Sequence, residues 1–194
     1  LIGLALGIYG LSQAVLQIPF GWLSDKIGRK PVILGGLILF ALGSLVAGMA
    51  ETVEGLVVGR FLQGSGAIAG TVMALLADLT RDEQRTKAMA IVGISIGMSF
   101  ALALIIGPIV AATAGLSGVF YFTAILALAG IAIVLFRVPT PALPQIVDVS
   151  TDSRFGPLIR SLSNGRLLRL NFGVFVLHFI LMASFLMVPG VLEG

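Results

Sequence analysis

Two sets of residues in this sequence carry chemistry by type and spacing. The first is Gly21-Trp22-Leu23-Ser24-Asp25-Lys26-Ile27-Gly28-Arg29-Lys30, in which one acid and three bases fall close together. Asp25 closes an apolar run, where the carbonyl end of a helix disfavours an anion, so it needs a compensating cation. Arg29, four residues on, is one candidate. Gly28 can take the left-handed backbone that stops a helix, and Pro31 suits the first turn of the next. The turn is therefore forced to be short and charged. Asp78 repeats the situation at the end of a later apolar run, with Arg81 and Arg85 nearby. Thr80-Arg81-Asp82-Glu83 then has the spacing of a capping box that would start a further helix. Lys26, Lys30, Arg81 and Lys87 are also accounted for as charges that set membrane topology, whereas Asp25, Gly28, Arg29 and Asp78 are not.

The second set is polar but sits inside apolar runs. Arg60 is the only base within one, and an Arg at mid-membrane costs roughly 2.5 to 3.5 kcal/mol on insertion scales. It either snorkels to the headgroups or lines a polar cavity, and Gln63 and Ala67 share its helical face. Arginine does not titrate at working pH, so its role would be to tune a carboxylate or bind an anion. Tyr9, Gln13 and Gln17 recur at helical spacing, as do Ser95 and Ser99; both rows could line a water path or hydrogen-bond between helices. His178 lies mid-run in the last apolar stretch, either as a neutral interhelical partner or as a titrating cavity residue. Apart from Glu54, at the edge of the run 53–77, no Asp or Glu lies within an apolar run. With no nucleophile-base arrangement either, enzymatic chemistry has nothing to work with.

The elements that must position these residues follow from composition. Of 194 residues, 58% are hydrophobic and 11% charged, against about 25% charged in soluble domains. Bilayer lipid must be the main solvent. Six runs reach the ~20 residues of a membrane-crossing helix: 1–20, 31–50, 53–77, 88–112, 116–136 and about 170–188. They lack the alternation of barrel strands. Eleven of the 12 Lys and Arg lie in alternate gaps between the runs, and the other gaps carry only acids or no charge. Those basic gaps are cytoplasmic, which places residue 1 near the outer face. Their dispersal excludes a nucleic-acid face. With no cysteine and one histidine, disulfides and metal clusters are excluded as well; no cofactor is expected. Small-xxx-small pairs such as Gly3/Gly7, Gly55/Gly59, Gly66/Gly70 and Gly93/Gly97 read as sites of close helix packing. Within the long gap, 138–152 reads as a linker and 154–169 as a short helix on the inner leaflet. Beginning inside an apolar run and ending soon after another, the chain reads as a piece of a longer protein.

Gly21-x-Leu23-x-Asp25-x-x-Gly28-Arg29-Lys30 resembles the signature loop between helices two and three of the major facilitator superfamily. Leu56-x-x-x-Arg60-x-x-Gln63-Gly64-x-Gly66-Ala67 resembles that superfamily's fourth-helix signature, and Asp78 with Arg85 matches the loop that follows. Gly107-Pro108 resembles the fifth-helix antiporter motif in degenerate form, with Ala103, Ala111 and Ala112 for glycines and Ile94 for its first one; the resemblance implies a proline kink there. The whole chain is most similar to the YajR-like branch of the drug/proton antiporters. The resemblance implies an all-α polytopic membrane helix bundle, with the six runs as helices two to seven of twelve. Residues 1–136 would form an N-terminal bundle lacking its first helix, 137–169 a cytoplasmic central loop, and 170–194 the first helix of the second bundle. It implies a monomeric secondary transporter of the bacterial inner membrane, exporting a small-molecule substrate by alternating access in exchange for protons. Gly21, Asp25, Gly28, Arg29, Lys30, Asp78 and Arg85 would form a conformational latch, and Arg60, Gln63 and His178 a cavity or proton-coupling set. Any buried carboxylate would lie on the absent helices. The alternative is a transporter-like sensor or assembly factor that moves nothing, which would have less need of Arg60 or the latch.

Overall fold

The computed structural model describes residues 2–66, 68–140 and 163–192, and no strand occurs among them. Its α-helices are α1 (Ile2–Ile27), α2 (Arg29–Gly48), α3 (Val53–Ser65), α4 (Ala69–Leu79), α5 (Arg85–Phe136) and α6 (Gly165–Leu192), with a 3-10 turn at Asp82–Gln84 leading into α5. The chain divides into two compact units, Leu1–Pro144 and Gln145–Gly194. Four described stretches are long and apolar enough to cross a membrane: Gly3–Ile27, Arg29–Gly48, Val53–Leu79 and Asp82–Phe136. The last is far longer than one crossing requires. Gly115, at φ 69° and ψ −174°, interrupts it, and so separates the two runs expected on either side of residue 115.

Contacts within the first unit fix the helix directions. Glycines of α2 and α3 meet with reversed numbering. A Cβ on Gly59 would lie 2.5 Å from the Ala47 nitrogen, and one on Gly66 2.5 Å from the Gly36 carbonyl oxygen. The two helices are therefore antiparallel. The part of α5 after Gly115 also runs antiparallel to α2, since Gly48 faces Tyr121 and Gly130 faces Leu37, while Lys30 reaches Leu135 and Val138. By contrast, α1 is parallel to α3 and α4: Arg60 meets Ala5 and Gln17 flanks Gly70. Helix ends next to basic gaps thus gather at one end of the unit. This is the sidedness that the charge distribution requires.

The core is thin and rich in small residues: Ala41, Ser44 and Ala47 of α2 and Ala124 and Ala127 of α5 are buried, together with the larger Val32, Ile33, Leu75 and Phe120. Large side chains such as Leu4, Leu11, Val15 and Ile18 of α1 face outward. Close packing through small residues, with large apolar ones outside, is the pattern that lipid selects.

Several expectations are corrected. The run 53–77 is not one helix: it breaks between α3 and α4, and Gly66 packs on Gly36 and Phe40 at the break. Close packing holds for Gly59 and Gly66, but Gly3, Gly7, Gly93 and Gly97 have nothing within 4 Å of an added Cβ. Thr80 forms no capping box, because its hydroxyl donates to the Leu76 carbonyl at 2.6 Å; the 3-10 turn has no side-chain cap. Pro108 lies inside α5, whose one residue with non-helical φ/ψ is Gly115. A proline inside a helix removes one hydrogen bond and crowds the preceding turn while keeping a helical φ, whereas φ 69° suits glycine. Of the expected inner-leaflet helix, residues 154–162 lie outside the described residues. Residues 165–169 belong to α6, whose first amides at Arg166 and Leu167 are capped by the Asn164 carboxamide oxygen.

Candidate functional site: a charged corner and an intramembrane arginine

The end of α1 and the start of α2 are held by a turn one residue long. Gly28 adopts φ 99° and ψ 156°, a region open essentially to glycine alone, and its N–H closes on the Ser24 carbonyl oxygen at 3.1 Å. This places Arg29 one turn from Asp25. The Arg29 Nη1 pairs with the Asp25 carboxylate, while its Nε meets Asp78 Oδ2, at the end of α4, at 3.0 Å. Nη1 also donates to Ser24 Oγ at 2.6 Å, and Ser24 in turn donates to the Gly21 carbonyl at 2.6 Å. One planar guanidinium thus ties three helices together. Only arginine offers separate donors in the fixed fork this requires.

The neighbours of this hub divide. Lys30 donates to the Leu135 and Val138 carbonyls at 3.1 and 2.9 Å, capping the end of α5 with positive charge, as the helix dipole favours. Lys26 lies 3.6 Å from the Trp22 ring centroid, a cation-π contact at the same end of the unit. Arg85, grouped by sequence with Asp78, is not drawn to it. It pairs with Asp82 at 2.7 Å, with both side chains largely exposed.

The intramembrane group assembles on α3. Arg60 Nη1 donates to Gln63 Oε1 at 2.9 Å, and its Nε reaches the Ala5 carbonyl at 3.4 Å. Its guanidinium stands 4.4 Å from the Tyr9 ring centroid. Gln63, 2% exposed, passes the chain on: its Nε2 donates to Ser44 Oγ of α2 at 2.7 Å, and Ser44 donates to the Phe40 carbonyl. These contacts seat Arg60 against α1 and its own helix. An indented space of about 380 Å³ beside this chain is lined by Tyr9, Gln13, Gln63 and Thr123 together with Leu37 and Phe40. Gln17, by contrast, flanks Gly70. Ser95 bonds within its own helix, to Ile91. Ala67 and the His178 side chain lie outside the described residues, although the backbone at 178 is part of α6. Among the described residues no group of three His, Cys, Asp or Glu could hold a metal.

Ser24 and Ser44 were not foreseen. A serine inside an apolar helix normally bonds its own preceding turn, as both do here, and no spacing rule distinguishes the ones that also accept from another helix.

The geometry agrees with what the chain is similar to. The transport protein YajR of the Escherichia coli K12 inner membrane is 51% identical over 98% of this chain and 42% of its own length. Multidrug resistance protein MdtL of Shigella dysenteriae serotype 1 is 30% identical over 77% of this chain and 39% of its own length. Among solved structures, a peptide transporter POT crystallised with alafosfalin matches with a TM-score of 0.58 at 19% identity, over 94% of this chain and 40% of that one; this likeness speaks for the fold. The chain spans less than half the length of each of these three proteins. The profile of the Major Facilitator Superfamily matches residues 1–193; the chain belongs to that superfamily, and its long apolar helices are those of a multi-pass membrane protein.

Proposed function

We propose that this chain is the part of a proton-coupled efflux transporter that carries its conformational latch. Arg29 pairing at once with Asp25 and Asp78 supports the reading most directly, because it joins two helix ends that share no sequence neighbourhood. Two helical bundles rocking about a midplane site would expose that site alternately to either face, and the Asp25/Arg29/Asp78 corner would form in one state and release in the other. Residues 1–136 would belong to the first bundle, 137–169 to the connecting loop and 170–194 to the second bundle. Arg60 and Gln63 would face the substrate path, with His178 a further cavity group. Efflux of a drug-like small molecule is favoured by the resistance protein among its relatives.

The test uses the full-length protein in inverted membrane vesicles, with antiport read as the collapse of an acid-inside gradient when ethidium or another member of a drug panel is added. Asp25→Asn should abolish the collapse while leaving membrane insertion nearly normal. A wild-type response in that variant overturns the latch. If no compound collapses the gradient even with the wild-type protein, the proposal gives way to a sensor or assembly role.

A further inference from the structure

Between the end of α4 and the start of α5 lies a crevice of about 430 Å³ with a mixed lining: Thr80, Arg81, Gln84 and Lys87 are polar, and Leu79, Ala88 and Ile91 apolar. From its amphipathic lining we infer that this crevice binds the headgroup of an anionic phospholipid, with the phosphate between Arg81 and Lys87 and the first acyl methylenes against Leu79 and Ile91. No carboxylate lines it. Of the neighbouring acids, Asp78 is engaged by Arg29 and Asp82 by Arg85, while Glu83 is in no ion pair among the described residues and does not line the crevice. Arg81 and Lys87 have no ion-pair partner among the described residues. Thr80, which could have satisfied the helix start, spends its hydroxyl on Leu76, and neither the 3-10 turn nor α5 has a side-chain cap. The open helix start adds to the positive potential that the two bases create.

Position favours lipid over a free anion. The crevice belongs to the end of the unit where Lys30 and the Trp22/Lys26 pair also lie, the face that the basic gaps mark as cytoplasmic. Leu79 and Ile91 are exposed at 45% and 57%, so these apolar residues open outward, where acyl chains would meet them. Basic pockets between membrane helices on the cytoplasmic side suit anionic headgroups on general grounds. The proposal does not depend on the latch, since neither Arg81 nor Lys87 touches Arg29 or its partners.

The full-length protein, purified in detergent doped with equal phosphatidylglycerol and phosphatidylcholine, is delipidated stepwise and its retained lipid measured by native mass spectrometry. Wild type should keep phosphatidylglycerol preferentially. Arg81→Gln and Lys87→Gln should each weaken that preference about fivefold, and together about 25-fold, from the worth of a basic residue at a membrane surface. Arg85→Gln, already paired with Asp82, should leave it unchanged, and Lys87→Arg should restore it. Equal retention of the two lipids by wild type overturns the inference. So does an undiminished preference in the double variant, or displacement of the lipid by inorganic phosphate at equal headgroup concentration.

Discussion

Replacing Ser44 by alanine tests whether the chain from Arg60 through Gln63 is a bonded unit or a coincidence of packing. Ser44 is fully buried and Gln63 is 2% exposed, with 2.7 Å between Gln63 Nε2 and Ser44 Oγ. Ser44→Ala strands one carboxamide N–H of a buried side chain, at a cost of about 1 to 3 kcal/mol for a buried unsatisfied donor. The loss at Phe40 is smaller, because that carbonyl keeps its place in the α2 ladder. Hydrogen bonds between membrane helices average nearer 0.6 kcal/mol, with a maximum of about 1.7, since the unfolded chain in lipid also finds partners; about 1 kcal/mol is therefore expected here. The assay is a double-mutant cycle, Ser44→Ala against Gln63→Leu, on the unfolding free energy of the full-length protein in bicelles. Gln63→Leu removes the donor together with its need for an acceptor, so adding Ser44→Ala to it should cost little. A coupling energy below ~0.3 kcal/mol, the scatter of independent sites, would refute the reasoning.

Three further outcomes are expected. Arg29→Lys keeps the charge but cannot present two separate donors in a fixed fork; antiport in inverted vesicles should fall at least tenfold while expression stays near wild type. Gly43→Ala would place a methyl group 2.8 Å from the Gly59 carbonyl oxygen and should destabilise the protein by about 1 to 3 kcal/mol, whereas Gly35→Ala, with nothing within 4 Å, should stay within about 0.5 kcal/mol; thermal unfolding compares the two. Arg60→Ala should stop or uncouple transport with insertion preserved, as measured by proton movement against drug movement. A loss confined to insertion efficiency would favour a snorkelling role instead.

The spans and their sidedness were legible because lipid imposes simple demands: long apolar runs, and bases on one side. The Asp25–Arg29 pair was legible for the same kind of reason, being a contact at i and i+4. The third member, Asp78, shares no periodicity with Arg29, and only its discomfort at a helix end pointed to a partner. Arg85 is grouped with Asp78 by the resemblance of their loop to the superfamily's, whereas the partner it takes here, Asp82, is the one that proximity in sequence favours. The break after Ser65 lay hidden in an unbroken apolar run. What decides it is tertiary: Gly66 must sit against the Gly36 carbonyl, and composition does not report which helix will be opposite. The same limit hid Ser44.

The corner itself divides into a fixed part and an exchangeable one. Arg29 is 14% exposed and seated on the buried Ser24, and Asp78 is 32% exposed, but Asp25 is 59% exposed. An ion pair with so much water on one partner contributes about 0 to 1 kcal/mol, so Asp25 could be surrendered to another partner at little cost. Arg29 could not leave so easily, because its departure would strip Ser24 and Asp78 together and separate α2 from α4. Lys30, clamped on the carbonyl end of α5, ties a fourth helix end to the same place. A latch needs this combination: a cation that stays in register with its own bundle and a carboxylate free to change partners. That is why Asp25, and not the more enclosed Asp78, is the group whose neutralisation should most sharply separate loss of switching from loss of folding.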